Sequence, residues 1–411
     1  MFTANDLRIL WVSAGVQISS GYGKVTREMV LRLLEHKLKV LTLSNQQVGF
    51  VAEFWGIKVL PHRGGRYFEN SLKPRYKENH CNLAITLFDL WVLGHIAEGE
   101  PINWLPYVPI DGDIDYTTTE LLQPITTALH VLAMSKYGQA QLTPFLDKDA
   151  ITYLPHGVDT AVYHPRSPES RAKTRKRLQF EEDNFVVLTV ANNLGDRKDW
   201  PKLFETYRIF FDQNPDAKKE VRFFAYTNID AAEGHSFGIQ RLGKKYKIDN
   251  YVTVPGYNPR LEPQGEDEMA AIFNTADLFM LLTRGEGFGL PYIESMACGV
   301  PCIGTDCTAV TEHLTDKRGW LVPAVDTILP LTTTTHQTYY LADKYKAAEA
   351  LADAWLHPED LHKRGKASLA FVKQHHDYDH IVKDLLIPTL DRVAEKIGTR
   401  AVDYSSGGLG I

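Results

Sequence analysis

Residues 277–305 place two short apolar runs on either side of a glycine-rich loop, in the order DLFMLLT, RGEGFGLPYIESMACG, VPCIGT. The first run, 277–283, is typical of a buried parallel strand. Pro291 fits the first position of a helix, and Gly299 suits the end of that helix. The second run, 300–305, is predicted as the next strand. Parallel strands need a crossover of this kind, so the segment predicts an α/β fold.

The rest of the chain repeats the alternation of strands and helices, which predicts parallel sheets covered by helices. With 411 residues the chain is too long for one ordinary core. We therefore predict two doubly wound, Rossmann-like domains, 1–165 and 166–380, with 164–184 as the linker. The segment 381–411 is predicted to cross back to the first domain and to end in a flexible tail. Two such domains place a ligand in the cleft between them, at the carboxyl ends of the strands.

Glu286 and Glu294 stand on either side of the predicted helix start in this unit. A helix N-terminus presents free N–H groups and attracts phosphate. Side chains of a helix tilt toward its N-terminus, so Glu294 leans toward the same place. Carboxylates beside a phosphate are favourable when they accept hydrogen bonds from sugar hydroxyls, which indicates a nucleotide sugar. The alternative is a structural turn with two solvated glutamates.

Charge and composition exclude several classes of function. The net charge of −6 gives no general attraction to nucleic acid or to an anionic membrane. Residues 1–165 hold 14 Lys and Arg against 16 Asp and Glu. No uncharged apolar run approaches the roughly 18 residues of a membrane span, and no leader is recognised, so a cytoplasmic location is predicted. The cysteines are interpreted as small core residues, not as disulfides or metal ligands: Cys81, Cys298, Cys302 and Cys307.

Three charged segments have competing interpretations. Residues 58–77 hold six Lys and Arg and one acid; they could meet a phosphorylated lipid, an acidic glycan or DNA, or be a solvated loop. The basic run 171–177 is interpreted as an exposed helix start within the linker. The DGDID segment, 111–115, has the spacing of a metal-binding D-x-D pair, but we expect no metal there because it lies in a loop of the first domain.

Four segments, together with their order along the chain, resemble the retaining glycosyltransferase family 4, which has the GT-B fold. EGFGLPYIE resembles that family's E-x7-E motif, and MACGVPCIGTD resembles the segment after it. LPHGVDTAVYHP (154–165) resembles the family's domain-junction segment, and SSGYGKVTREM resembles its first glycine loop. The resemblance covers nearly the whole chain. It implies two Rossmann-like domains that face each other across a cleft.

The resemblance also implies roles for individual residues. Glu286 would hold hydroxyls of the donor sugar as a catalytic residue, and Glu294 would bind the ribose hydroxyls. Further donor contacts would come from the backbone of the loop, the first glycine loop and the base pocket: Gly287, Phe288, Gly289, Leu290, Gly21, Gly23 and Tyr257. For Gly21 and Gly23, turn geometry is the alternative.

The chain departs from the family at two positions. The family's phosphate-binding lysine matches Lys198, but its arginine position falls on Asn193, a candidate donor-binding residue, and Arg197 could compensate. The family often has a histidine at the end of the strand predicted over 83–89, where this chain has Asp89. Asp89 could orient a sugar or acceptor hydroxyl, or it could cap the next helix.

These implications predict a retaining, metal-independent glycosyltransferase without a cofactor. It would move a hexose-type sugar from a UDP- or GDP-sugar to a hydroxyl acceptor by a front-face mechanism. The acceptor could be a glycan, lipid, protein or modified nucleobase. Two alternatives stay open, namely a nucleotide-sugar epimerase and a non-catalytic sugar-nucleotide binder.

Overall fold

The computed structural model describes residues 2–65, 67–115, 122–228, 236–259, 262, 264–329 and 337–406. The strands are β1 Arg8–Ser13, β2 Lys39–Val48, β3 Ala52–Phe54, β4 Ile57–His62, β5 Leu83–Leu87, β6 Trp104–Val108, β7 Asp113–Ile114, β8 Val131–Ala133, β9 Ile151–Tyr153, β10 Phe185–Val190, β11 Val221–Tyr226, β12 Val252–Thr253, β13 Leu278–Leu281, β14 Cys302–Thr305, β15 Gly319–Val322, β16 Ala324–Ile328 and β17 Gln337–Ala342.

The helices are α1 Gly21–Glu35, α2 Leu72–Glu78, α3 Gln123–Thr126, α4 Lys136–Leu142, α5 Pro168–Arg177, α6 Trp200–Gln213, α7 Ile239–Tyr246, α8 Glu266–Thr275, α9 Leu290–Ala297, α10 Val310–His313, α11 Lys344–Leu356, α12 Pro358–His375, α13 Tyr378–His380 and α14 Ile387–Ser406. A π-helical segment, Ile381–Leu386, joins the last two. Within the described ranges, none of the helices has the length and apolar character needed to span a bilayer.

Two parallel sheets form the architecture. The first has the strand order β3-β4-β2-β1-β5-β6-β8-β9, and only its edge strand β3 runs antiparallel to its neighbour. The second has the order β12-β11-β10-β13-β14-β15, with every pair parallel. That second order is the 3-2-1-4-5-6 arrangement of a doubly wound nucleotide-binding sheet. The predicted α/β class is therefore confirmed. We call the β1–β9 sheet with its helices the amino half, and the β10–β15 sheet with its helices the carboxyl half.

A small third sheet, which the sequence did not predict, joins the two halves. The hairpin of β16 and β17 follows the second sheet, and β17 pairs antiparallel with β7 of the amino half. Gln337 lies opposite Ile114, and Thr338 lies opposite Asp113. This pairing holds the loop around residue 111 beside the carboxyl half.

The first helix begins earlier than predicted. The sequence pattern predicts a glycine loop over 19–25 and a helix over 26–37, but α1 starts at Gly21. Ser20 is the reason, because its side chain accepts a hydrogen bond from Gly23 N at 3.1 Å and caps the helix. A methyl group on Gly23 would overlap the Ile18 carbonyl, so this glycine permits a close approach of backbone to the helix start.

The predicted linker contains a helix with a buried arginine. Helix α5 lies within 164–184 and packs against α8. Arg175 is 5% exposed, and its Nη2 lies 2.6 Å from Asp277 Oδ2. It also donates to the carbonyls of Thr275 and Asn184. The interpretation of 171–177 as an exposed helix start is therefore wrong for Arg175, because the Asp277 carboxylate and chain carbonyls use its charge. Lys173, Lys176 and Arg177 are exposed.

The basic segment 58–77 is not a solvated loop either. It contains most of β4 and the larger part of α2. Arg75 donates from Nε and Nη2 to the Pro61 carbonyl, at 3.1 and 3.0 Å, and ties the helix to the strand. The charge of Arg75 therefore helps to hold α2 against β4.

The C-terminal helix packs on the beginning of the chain. Asp391 Oδ1 in α14 accepts a hydrogen bond from Ala4 N at 2.8 Å. Gly398 lies against Phe2, where a larger side chain would crowd the ring. Helix α14 continues to Ser406, into the segment predicted as a flexible tail, and residues 407–411 lie outside the described residues.

Candidate active site

The loop between β13 and α9 places both glutamates of the motif. Gly289 adopts φ +92°, a conformation that favours glycine, and acts as the N-cap of α9. Helix α9 begins at Leu290, so Pro291 occupies its second position. Glu286 lies in the loop before the helix, and Glu294 lies a little over one turn inside it. Both are buried.

Glu286 is enclosed by two cations from the loop between β10 and α6. Lys198 Nζ bonds its Oε1, and Arg197 Nη1 lies 3.2 Å from its Oε2. The Glu286 backbone N–H donates to Thr308 Oγ1 at 2.9 Å. Burial alone would raise the pKa of Glu286, but Lys198 and Arg197 outweigh burial and hold that pKa below its ordinary value. The carboxylate is therefore ionised and fixed in place.

The amino half closes directly onto this loop. Arg197 Nε lies 3.4 Å from Asp111 Oδ2, while its Nη1 donates to the Gly285 carbonyl at 2.6 Å. A methyl group on Gly285 would overlap the Asp111 carbonyl, and one on Gly287 would overlap Pro109. The absence of side chains at these glycines allows the two halves to touch.

Two helix N-termini face each other across the cleft. A methyl group on Gly21, the first residue of α1, would lie 3.5 Å from Leu290 Cδ1 at the start of α9. Each terminus carries unpaired N–H groups and a partial positive charge. With Lys198 and Arg197 nearby, this is an environment that stabilises a diphosphate. Glu286 and the predicted loop glycines therefore come together at one place with both cations.

Phe288 is held by three buried histidines that the sequence analysis missed. Its ring centroid lies 4.9 Å from that of His156, 4.8 Å from His313 and 5.6 Å from His376. His313 Nε2 lies 2.7 Å from the Phe288 carbonyl, so this nitrogen carries the proton. Burial lowers the pKa of His313 to about 4, and that of His156 to about 3. The rings are therefore neutral and serve to fix the loop.

Glu294 does not stand free, because a lysine from the amino half contacts it. Lys24 Nζ in α1 lies 2.5 Å from Glu294 Oε1 and 2.5 Å from Glu266 Oε2. The same nitrogen lies 2.9 Å from the Tyr163 hydroxyl, which donates to Glu266 at 2.7 Å. Arg27 Nη2 contacts the other oxygen of Glu266 at 2.8 Å. Lys24 follows the glycines of the first loop in the sequence, but its partner is 270 residues away.

Asp89 lies just after β5 and accepts a hydrogen bond from the Tyr22 hydroxyl at 3.1 Å. It precedes a 3-10 turn, Leu90–Val92, but its side chain makes no capping hydrogen bond there. Burial, with the neighbouring charge of Asp111 as a second cause, raises the pKa of Asp89 to about 6. The arrangement fits a group that orients a hydroxyl better than it fits a helix cap.

Two residues predicted to bind the donor make contacts within the protein. Asn193 donates to the carbonyls of Phe237 and Asn228, at 2.6 and 3.2 Å, and its Oδ1 accepts from Phe237 N at 3.0 Å. Its amide joins three chain segments, so its role in donor binding stays a prediction. The Tyr257 hydroxyl lies 3.3 Å from that of Tyr226, and its place in a base pocket also stays a prediction.

The D-x-D-like segment is occupied by protein contacts. Asp113 accepts hydrogen bonds from Tyr137 and Tyr340, at 2.7 and 2.6 Å, and Asp111 faces Arg197. Across the described part of the chain, no group of three or more His, Cys, Asp or Glu side chains is placed to hold a metal ion. The cysteines are buried and unpaired with one another, as predicted.

Comparison with known proteins identifies the domain in the carboxyl half. Residues 208–331 match the family model described as Glycosyl transferases group 1. A GDP-mannose-dependent monoacylated alpha-(1-6)-phosphatidylinositol monomannoside mannosyltransferase from Corynebacterium glutamicum is 29% identical over 50% of this chain and 52% of its own length. A D-inositol 3-phosphate glycosyltransferase from Stackebrandtia nassauensis is 25% identical over 68% of this chain and 54% of its own length. The chain thus spans about half the length of these curated relatives.

Solved structures share the fold along nearly the full chain. Sucrose-phosphate synthase from Thermosynechococcus elongatus aligns with a TM-score of 0.72, at 17% identity, over 98% of this chain and 100% of its own. HepE from Anabaena in complex with UDP-glucose aligns with a TM-score of 0.69, at 15% identity, over 96% of this chain and 100% of its own. These findings confirm the predicted resemblance. The chain carries a Glycosyl transferases group 1 domain over residues 208–331, is similar to proteins named as glycosyltransferases, and has the GT-B fold.

Proposed function

We propose that this protein is a retaining glycosyltransferase that moves a hexose-type sugar from a nucleoside-diphosphate sugar to a hydroxyl acceptor. The observation that carries the proposal is the Glu286 carboxylate, held by Lys198 and Arg197 beside the facing starts of α1 and α9. A fixed carboxylate next to two cations and two helix N-termini suits a ligand that joins sugar hydroxyls to phosphate.

The donor would lie along the cleft with its diphosphate between the two helix N-termini. Lys198 and Arg197 would contact the phosphates, and Glu286 would then accept hydrogen bonds from donor-sugar hydroxyls. Glu294, one turn into α9, would accept from the ribose hydroxyls. One curated relative is named for GDP-mannose, and one similar solved structure contains UDP-glucose. We therefore propose a UDP-sugar or a GDP-sugar as the donor.

Catalysis would consist of stabilising the departing diphosphate. The bond between the anomeric carbon and the phosphate oxygen breaks, and a bond from the acceptor oxygen to the same face of that carbon forms. The acceptor proton passes to the leaving phosphate oxygen, so atoms and charge balance without a metal or a cofactor. Lys198, Arg197 and the helix N-termini oppose the growing negative charge.

Asp89 would act on the acceptor side of this reaction. It lies in the amino half with its hydroxyl partner Tyr22, close enough for Asp111 to affect its pKa. A carboxylate there can orient an acceptor hydroxyl. The contact of the two halves near Gly287 would exclude water and limit hydrolysis of the donor.

The alternatives differ in what they make. An epimerase would change the donor sugar without an acceptor, and a non-catalytic binder would make no product. The curated relatives are named as glycosyltransferases, which favours transfer. The acceptor is proposed only as a hydroxyl compound (glycan, lipid, protein or modified nucleobase), and a cytoplasmic location stays a prediction.

The test is an incubation of the full chain with UDP- and GDP-sugars and a panel of hydroxyl acceptors, followed by mass spectrometry. We expect one donor to give a glycosylated product with retained anomeric configuration and an equal amount of nucleoside diphosphate. Adding EDTA should leave the rate unchanged. An epimerised donor without acceptor product, or an inverted product, would contradict the proposal.

A further inference from the structure

Lys24 reaches from the amino half into the nucleotide side of the proposed donor site. It belongs to the first turn of α1, and its side chain is 11% exposed. Its nitrogen contacts Glu294 of α9 and Glu266 of α8, both in the carboxyl half, and Tyr163 in the junction segment. One lysine therefore connects both halves and the junction between them.

The two carboxylates around Lys24 depend on it to different degrees. Glu266 also contacts Arg27 and accepts from Tyr163. Glu294 accepts from Lys24 through Oε1, and within the described part of the chain its Oε2 accepts no hydrogen bond. Lys24 therefore fixes Glu294, and one oxygen of Glu294 is left for a further donor.

We infer that Lys24 is a positioning residue for the donor nucleoside: it holds Glu294 by one oxygen and leaves the other to accept a ribose hydroxyl. This inference rests on the proposed function. Because Lys24 and Glu294 belong to different halves, the nucleoside end of the site is complete only when the halves are together. Binding of the nucleoside and closure of the cleft would thus favour each other.

The charges explain why a cation is needed here. Burial raises the pKa of Glu294, and the nearby Glu266 adds to that effect, while Lys24 opposes both. Without Lys24, Glu294 would lose the cation that opposes this rise in pKa and would take up a proton or turn toward water. A protonated or displaced carboxyl group accepts ribose hydroxyls less well.

Arg27 offers a matched control for a merely structural role. It lies one turn further along α1 and also forms an ion pair across the two halves, with Glu266. Its side chain contacts Glu28, Val16, Glu266 and Trp55, and within the described part of the chain it forms no ion pair with Glu294. Loss of Arg27 therefore removes a connection between the halves but leaves the positioning of Glu294 intact.

The experiment is isothermal titration of the full chain with its preferred nucleoside diphosphate and with inorganic pyrophosphate. For Lys24→Met we expect the nucleoside diphosphate to bind at least about tenfold more weakly, since a charge-assisted hydrogen bond is lost. Pyrophosphate affinity should stay within about twofold. Arg27→Met should change neither affinity by more than about threefold, as for a modest interdomain ion pair.

A double variant makes the test specific. Lys24→Met combined with Glu294→Gln should bind nucleotide no more weakly than the weaker single variant, since both changes remove one interaction. If Lys24→Met does not fold, as judged by circular dichroism, Lys24→Gln takes its place with the same expectation.

Three outcomes would overturn the inference. The first is that Lys24→Met binds the nucleotide as tightly as the wild type does. The second is that Lys24→Met loses as much affinity for pyrophosphate as for the nucleotide. The third is that Arg27→Met loses as much nucleotide affinity as Lys24→Met. In each case the wild-type chain still binds nucleotide, so the proposed function survives. A wild-type chain that binds no nucleoside diphosphate would instead overturn the proposed function, and this inference with it.

Discussion

Arg197 of the carboxyl half lies against Asp111 of the amino half, with its Nε 3.4 Å from Asp111 Oδ2. Its Nη1 at the same time contacts Glu286. The proposed catalytic carboxylate is therefore connected through one guanidinium to the opposite wall of the cleft. The charge of the site depends on residues of both halves.

Glu286→Gln should nearly abolish sugar transfer, with kcat lower by about a hundredfold or more, as for other lost electrostatic contacts in active sites. The carboxylate that would hold the donor sugar is gone, although the shape is kept. The variant should also be less stable, because Lys198 loses its anionic partner and Arg197 keeps only Asp111 of its two partners in the site. Steady-state kinetics and a thermal melt measure both effects.

Glu349→Gln is the control for this change, because the Glu349 side chain is exposed and pairs with the exposed Lys346. It should leave rate and stability unchanged within error. Sugar transfer by Glu286→Gln at the wild-type rate would show that Glu286 is not a catalytic residue.

Lys198→Met should weaken binding of the nucleoside diphosphate by about tenfold, the cost of one charge-assisted contact to phosphate. Binding of the bare nucleoside should change little, because it lacks the phosphates. Lys219→Met, at a side chain 81% exposed, is the matched control. Equal affinity of wild type and Lys198→Met for the diphosphate would place the phosphate site elsewhere.

Gly287→Ala should separate the two halves. The added methyl group would overlap Pro109 of the amino half, and such overpacking costs about 1–3 kcal/mol. We expect lower activity and a larger radius of gyration in X-ray scattering, with the secondary structure intact by circular dichroism.

Gly94→Ala serves as the comparison, because a methyl group there meets nothing within 4 Å. If Gly287→Ala kept both its activity and its radius of gyration, the two halves would not be in close contact at this loop in solution.

Asp89 should make stability fall as pH rises from about 4 to 6. Burial raises its folded-state pKa from 3.8 to about 6, so the folded chain holds this proton more tightly than the unfolded chain. This contribution to the free energy of unfolding is present at low pH and disappears as the pH passes the folded-state pKa, a change of up to about 3 kcal/mol. Asp89→Asn should lack this change.

Urea denaturation of both chains at pH 4, 5, 6 and 7 measures the difference. The stability of Asp89→Asn relative to wild type should rise across this range. A constant difference would mean that Asp89 has an ordinary pKa. If Asp89 acts as a carboxylate on the acceptor, kcat/KM of the wild type should also rise with pH near 6.

Some of the site could be predicted from the sequence because its residues are neighbours in the chain. Glu286, Gly289 and Glu294 share one strand–loop–helix unit, and the spacing of that unit fixes their relative positions. The spacing of apolar residues over 344–356 likewise predicts a helix, and α11 has those bounds, Lys344–Leu356. Local periodicity and local turn chemistry are sufficient in such cases.

Contacts between distant segments could not be predicted in this way. Lys24 meets Glu294 across 270 residues, and His313 meets Phe288 only because α10 folds back over the loop. The buried Arg175 had the sequence signature of a solvated helix, because its partner Asp277 lies about a hundred residues further on. A charge run does not reveal whether its partners are water or a carboxylate of another chain segment.

The central claim is that a nucleoside diphosphate binds between Lys198 and Glu294. The measurement that tests it most directly is isothermal titration of the wild-type chain, Lys198→Met and Glu294→Gln with UDP and GDP. We predict that one of the two nucleotides binds the wild type and that each variant weakens it by about tenfold, as for one lost charge-assisted hydrogen bond. Binding of neither nucleotide, or binding that neither variant changes, would contradict the account.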